Sequence, residues 1–335
     1  AASDVYKRQV LDTYGVGDAI STHHPALRGF YDQVIMDLTE ENVRETAKKS
    51  DVIMIQVPSG DVAKWAEIVL AEDCAIIDIG ADIRFRDVDV WEKWYGQKHP
   101  DAKMTHDAVY CIPEVMRDLA KGKKLIANPG CYPTASTLGL QPMLKAGHIV
   151  DNTIVIDAKS GYTGAGRRPA LNKLLTEAEN NFCAYALGGG HRHTPDIEQN
   201  IAYITGKDLM KPETWQYINF QPHLLPQVRG IEVTIYATCD RDFTNEEVYE
   251  LYKDFYKDEP FVKVFPASLP VQTKWVYGTN FCEMTPTFDK RTHRLIVSSV
   301  IDNIGKGAAG QAIQNMNLIM GLPETTGLMM PPMYP

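Results

Sequence analysis

The chain of 335 residues is long enough for two packed domains, and 44% hydrophobic with 23% charged residues excludes collagen-like, low-complexity and disordered classes. A formal net charge of -9 with no basic block argues against nucleic acid as a partner, since neutralising phosphates takes clustered Lys and Arg. No apolar run approaches the ~20 residues of a membrane span, and six cysteines without a C-x-x-C pair fit neither a zinc site nor a disulfide scaffold, which points to a reducing, cytoplasmic compartment.

The opening "AASDVYKRQ" has neither helical nor strand period and no signal-peptide pattern, so it contributes nothing to the fold reading. From residue 51 the pattern alternates. "DVIMIQVP" reads as a buried strand, "GDVAKWAEIVLAE" as a helix, "CAIIDIG" as a strand and "KKLIANPG" as another. Continuous apolar strands separated by helices indicate a parallel sheet covered on both faces, so residues 1–131 are predicted to form a doubly wound, Rossmann-type α/β domain that binds a dinucleotide. Ligands of such sheets bind beyond the carboxyl ends of the strands, where "VPSG", "IGADIR" and "NPGC" all lie.

In "ANPGCYPTAS" a cysteine stands between a strand and a segment of helical spacing, with Pro133 suited to the first helical position. Free N–H groups at a helix start favour a thiolate, so Cys131 reads as a candidate nucleophile of lowered pKa. The competing reading is a packing cysteine, since cysteine is among the most often buried residues.

Beyond Cys131 the character changes. "TIVIDAKSG", "INFQPHLLP", "RGIEVTIYATCD", "NFCEMTP" and "RLIVSSVID" are β-branched and aromatic, and several alternate. They predict a second α+β domain, 132–304, built on a mostly antiparallel sheet with helices on one face. "TNEEVYELYKDFYK" is a helix with Thr244 and Glu247 spaced as a capping box, and "GKGAAGQAIQNMNLIMG" is a closing helix, within 305–335, that returns to the first domain.

Two loops carry chemistry. "KSGYTGAGRRPA" sets Ser160, Gly161, Gly164 and Gly166 beside Arg167 and Arg168, glycines for close backbone approach and arginines for phosphate or carboxylate; the bland alternative is a solvated surface loop. In "GGGHRHTPDIEQ", Thr194 is a candidate N-cap and Pro195 a first helical residue, so His193 abuts a helix N-terminus that disfavours its cationic form and keeps it available as a general base. His191 faces the same way if the segment is extended. The alternatives are local capping or a metal pair, for which no third ligand stands at a suitable spacing. A cysteine nucleophile, a neutral histidine, a dinucleotide-type domain and Arg84 at a strand end together imply nicotinamide-linked acyl chemistry through a thioester.

These residues resemble the N-acetyl-γ-glutamyl-phosphate reductase family of arginine biosynthesis. "NPGCYPTAS" is similar to its nucleophile motif, "IDIGADIR" to its phosphate-site strand, "SGYTGAGR" to its Gly-rich loop and "GHRHTPDIEQ" to its histidine motif; "PHLLPQVRGI" and "DNIGKGAAGQAIQNMNL" also match, from about residue 23 onward. The resemblance implies that Cys131 is the nucleophile and His193 the acid/base, and that Arg84 and Asn128 lie near an acyl phosphate. It implies His191 and Arg167 as further substrate contacts, and NADPH as donor on Pro58, Ser59, Ser160, Gly161 and Asn303. No metal is implied, and the expected assembly is a homo-oligomer, a dimer or tetramer. An aspartate-semialdehyde-type dehydrogenase, a cofactor-free thiol hydrolase or acyltransferase and a non-catalytic homologue are the competing readings.

Two departures from the family pattern stand out. Family members begin with a strand and a G-x-x-G-x-x-G turn that cradles pyrophosphate, whereas "AASDVYKRQ" stands at that place, so the first strand, that turn and much of the second strand are expected to be missing, with weaker NADPH binding and lower stability. Gly80 replaces the usual serine, which removes a hydroxyl near phosphate or cofactor.

Overall fold

The computed structural model describes residues 9–166 and 170–333. In chain order the first part contains β1 (Leu11–Asp12), α1 (Ile20–His23), β2 (Met36–Asp37), α2 (Glu40–Ala47), β3 (Val52–Ile55), α3 (Val62–Ala71), β4 (Ala75–Asp78), α4 (Val88–Tyr95), α5 (Ala102–Asp107), β5 (Val109–Tyr110), α6 (Pro113–Ala120) and β6 (Leu125–Ala127). The apolar runs read as buried strands are the core of a four-stranded, all-parallel sheet in the order β3-β4-β6-β5. Every residue of β4 and β6 is buried, which is why their sequences show no alternation. β1 and β2 pair in parallel as a separate two-stranded sheet, an element too short for any periodicity to announce.

The second part contains α7 (Cys131–Lys145), β7 (Val155–Gly161), α8 (Leu175–Ala178), β8 (Cys183–Ala184), α9 (Thr194–Ile204), β9 (Asn219–Leu225), β10 (Ile231–Thr238), α10 (Asn245–Phe255), β11 (Val262–Val264), β12 (Cys282–Asp289), β13 (Arg294–Ile301) and α11 (Gly310–Ile319). Its strands form one seven-stranded sheet, β11-β12-β13-β10-β7-β9-β8, antiparallel except for the pairs β7/β9 and β11/β12. Strict alternation of buried and half-buried residues along β10 marks one face packed and one open. The capping box of α10 forms as its sequence predicts, Thr244 Oγ1 accepting from the Glu247 amide while the Glu247 carboxylate accepts from that of Thr244.

Helix α7 joins the two sheets. All residues from Tyr132 to Leu144 are buried, and at Gly139 an added Cβ would lie 2.6 Å from Cδ1 of Ile235 on β10, so glycine sets how closely the helix approaches the sheet. One apolar core consequently runs from Ile76 and Ile126 through Leu138 and Leu140 to Ile235 and Val297. The closing segment begins as a π-helical turn over Gly305–Ala309 before α11, which packs on α6 and β4 of the first part.

Candidate active site

Strand β6 ends at Ala127, and Asn128, Pro129 and Gly130 turn the chain into α7, whose first helical residue is Cys131 itself. Pro133 sits two residues further in, still within the first turn, where its missing N–H loses no helical hydrogen bond. Cys131 is half-buried. Burial pushes its thiol up to about 11, against the backbone N–H groups of Tyr132 and Cys131 and the Arg84 guanidinium, which pull it down. This reverses the direction expected from the helix N-terminus alone: desolvation outweighs the dipole, so the resting group is a thiol.

His193 is the N-cap residue of α9, one position earlier than the sequence pattern indicates for the cap, and Thr194 makes no side-chain capping bond. Its imidazole packs over the cysteine turn: an added Cβ on Gly130 would lie 2.5 Å from His193 Nε2 and 3.0 Å from an Arg84 terminal nitrogen. Glycine at 130 is thus what lets imidazole and guanidinium close on the turn that carries Cys131. Burial, followed by His191 and Arg84, holds His193 well below the usual histidine range, and its Nδ1 is buried with no hydrogen-bond partner. The ring is neutral, as a general base requires. His191 Nδ1 accepts the His193 backbone N–H at 3.1 Å, which places any proton of the neutral ring on Nε2, and burial lowers its pKa to about 4. Tyr132 meets both imidazoles edge-on, and its hydroxyl lies 3.2 Å from that of Tyr185.

Arg84 is buried, and all three of its nitrogens donate within the protein: Nε to the Asn128 carbonyl at 3.0 Å, one terminal nitrogen to Asp196 at 3.1 Å and the other to the Ile79 carbonyl at 3.3 Å. It ties the end of β4, the cysteine turn and the first turn of α9 together. Asn128 is fully buried, donating to the Ala308 carbonyl and accepting from Asn315 of α11. On the other side of Cys131, a Cβ on Gly307 would lie 2.7 Å from the cysteine Cβ, so the π-helical turn closes directly against it.

A cleft of about 480 Å³ opens beside this group, lined among others by Ser59, Gly80, Arg84, Tyr95, Gly164, Tyr185, His191, Arg192 and His193. Of the residues the sequence singled out for a cofactor, Ser59 lines the cleft and Pro58 is exposed beside it. Ser160 is buried and donates to the Gly161 carbonyl. Gly161 is needed for another reason, since a Cβ there would lie 2.8 Å from the backbone of Gln227 and Val228. Asn303 is buried, holding Thr163 of the Gly-rich loop and the Gly230 amide. Arg167 lies outside the described residues. At Gly80 a Cβ would meet Asp78 Oδ1 at 2.8 Å, and the Gly80 amide donates to that oxygen. Among the described residues no group of three or more His, Cys, Asp or Glu side chains is arranged to hold a metal ion, and no helix is long and apolar enough to cross a membrane.

The partner of Arg84 is hidden in the sequence, because Asp196 lies 112 residues away and carries only the signature of a helix first-turn acid. So are Tyr95, Tyr185 and Arg192, whose chemistry shows only once the cleft is assembled.

Known proteins resemble the chain throughout. Residues 7–123 match the family described as "Semialdehyde dehydrogenase, NAD binding domain", and residues 131–303 match "Semialdehyde dehydrogenase, dimerisation domain". An N-acetyl-gamma-glutamyl-phosphate reductase of Desulforudis audaxviator is 45% identical over 320 residues, 96% of this chain and 89% of that one. The same enzyme of Symbiobacterium thermophilum is 43% identical, with 95% and 89% covered. Among solved structures, aspartate semialdehyde dehydrogenase II from Vibrio cholerae superposes with a TM-score of 0.67 at 16% identity, covering 93% of this chain and 89% of that one, a likeness of fold. With both family matches and this identity over nearly the whole chain, the chain belongs to the semialdehyde dehydrogenase family, among the N-acetyl-gamma-glutamyl-phosphate reductases.

Proposed function

We propose that the protein reduces N-acetyl-γ-glutamyl phosphate to the semialdehyde, with NADPH as donor and release of phosphate. The observation that carries this reading is the nucleophile's setting: Cys131 at the first residue of α7, with a neutral imidazole and a fixed guanidinium packed over Gly130. His193 takes the thiol proton as sulfur attacks the acyl carbon. The C–O bond to phosphate then breaks, phosphate leaves with the electron pair, and a thioester remains on Cys131. Reduced nicotinamide, when bound, supplies the hydride that the thioester carbonyl carbon accepts. His193 protonates the resulting oxyanion, recovers that proton as the C–S bond breaks and the aldehyde leaves, and returns it to the Cys131 sulfur.

The residues present fit such a cofactor and such a substrate. The cleft lies at the carboxyl ends of β3 and β4, glycines 80, 164 and 190 expose backbone to it, and its lining contains arginines and neutral imidazoles but no carboxylate. That composition suits phosphate-bearing ligands. Ser59 and the Gly-rich loop, with Ser160, Gly161 and Asn303 shaping it, hold the nicotinamide side; Pro58 shapes the approach. His191, Arg84, Asn128 and Arg167 serve the substrate side, Arg84 and Asn128 by fixing the cysteine turn. Assaying purified protein with N-acetyl-γ-glutamyl phosphate and with aspartyl phosphate, each with NADPH and NADH, tests the reading. Turnover of the first with NADPH is expected, and preference for aspartyl phosphate would overturn it.

The open face of the seven-stranded sheet is the proposed self-association surface of a dimer or tetramer. Val155, Tyr236 and Ile296 lie in register across three strands there, half-buried in the single chain. A cytoplasmic setting is supported by the described cysteines, all of them free.

A further inference from the structure

The cleft presents two arginines and no acid, and the two differ in what remains for a ligand. Arg84 is buried in the lining with each nitrogen already donating to Asp196, Asn128 or Ile79. Arg192 is exposed at the same cleft, between the two imidazoles in sequence, with its guanidinium carbon 4.7 Å from the centre of the Tyr95 ring. Among the described residues no carboxylate lies within ion-pair distance of Arg192, and no protein acceptor takes its N–H groups. An arginine resting on an aromatic face is oriented while its N–H edges stay available, the arrangement that suits bidentate pairing with a carboxylate. Tyr95 stays a neutral platform, since burial pushes its hydroxyl up to about 12.

Given the proposed substrate, the placement has a direction. The molecule carries an acyl phosphate at one end of a short methylene chain and an α-carboxylate at the other. The acyl phosphate end must reach Cys131, which lies next to Gly130 under the His193 and Arg84 side chains that line the cleft, beside the N–H groups that open α7. The carboxylate end then extends toward solvent, where among the described residues of the cleft Arg192 is a cation without a protein partner. We propose that Arg192 is the specificity-determining residue that pairs with the substrate's α-carboxylate, an assignment that rests on the function argued above.

The test uses Arg192→Leu and Arg192→Lys in the reverse direction, with N-acetylglutamate semialdehyde, inorganic phosphate and NADP. Arg192→Leu is expected to raise KM for the semialdehyde by about tenfold or more, with kcat and the KM for phosphate within about twofold of wild type, and Arg192→Lys to recover part of the loss. The side chain is exposed, so melting temperatures should stay together. A second arm needs no turnover: N-acetylglutamate is expected to protect Cys131 from iodoacetamide in the wild type, and to require about tenfold more ligand in Arg192→Leu. An unchanged KM for the semialdehyde, equal protection in both proteins, or a rise confined to the KM for phosphate would overturn the assignment. A wild-type protein inactive on N-acetyl-γ-glutamyl phosphate would overturn the function itself, and the protection arm would still judge Arg192.

Discussion

Cys131 sits between two glycines whose missing side chains define the reaction space, Gly130 beneath the imidazole and Gly307 against the cysteine Cβ. The charge states there are unusual for a cysteine enzyme: a thiol held up to about 11 by burial faces an imidazole held well below the usual range. Neither group ionises at rest between pH 6 and 9, so proton transfer must accompany attack. Iodoacetamide alkylation of Cys131 is therefore predicted to keep accelerating from pH 6 to pH 9, because the thiolate fraction grows toward a pKa of about 11. A plateau near pH 7 would instead reveal a preformed thiolate and imidazolium. His193→Asn, which removes the proposed proton carrier, is predicted to lower kcat by ~10²- to 10⁴-fold with a small change in KM, and His191→Asn to act mainly on KM. A larger kcat loss at His191 would exchange the two roles. The sequence displayed Cys131 and His193 because helix-start chemistry is local. It concealed the balance of their pKa values, because desolvation comes from residues folded over them.

At the scale of elements, the site is assembled by contacts that cross the chain. β4, β6 and α9 meet at Arg84, and α11 reaches the same turn through Asn315 and Asn128. The strands and helices themselves were legible, since continuous apolar runs and a capping box speak in local sequence. β5, β8 and β11 have two or three residues each and carry no readable period. Equally hidden was the buried pair that locks α6 to the π-helical turn: Lys306 Nζ lies 2.6 Å from Glu114, both side chains are fully buried, and Gln314 of α11 bonds to each. Burial alone would raise Glu114, yet the Lys306 charge and these hydrogen bonds hold it below the usual carboxylate range. Glu114 thus contributes stability above its unfolded pKa, lost as pH falls through the lowered folded value. Lys306→Met leaves a buried unpaired carboxylate and is predicted to destabilise by about 3–5 kcal/mol at pH 7.5. The sign then inverts: with Glu114 raised, the variant recovers part of its melting temperature at pH 5, where the carboxyl is protonated. Thermal melts of the variant at both pH values check this, and an equal deficit at both would show that the charge of Glu114 is not the cause.

For the whole molecule, a parallel sheet supplies the crevice and a mostly antiparallel sheet supplies the histidine side, with the buried helix α7 joining them and carrying Cys131 at its first residue. That division was readable from the switch between unbroken and alternating apolar patterns. The distinct β1/β2 sheet was not, because each of its strands has two residues. The open sheet face yields its own prediction: Tyr236→Glu, placing a charge amid Val155 and Ile296, shifts the light-scattering mass of an assembled protein to that of the 37.5 kDa chain. An unchanged mass would move the interface elsewhere. A thioester on Cys131 is the step on which the proposed reaction turns, and mixing the protein with N-acetyl-γ-glutamyl phosphate in the absence of any nicotinamide, recording intact mass and phosphate together, reads it out. The expected result is a burst of phosphate matching the enzyme concentration, an N-acetylglutamyl adduct on Cys131, discharge of that adduct as aldehyde on adding NADPH, and neither burst nor adduct in Cys131→Ser. Phosphate release that requires NADPH from the outset, with no adduct on Cys131 in an active wild-type protein, would contradict it.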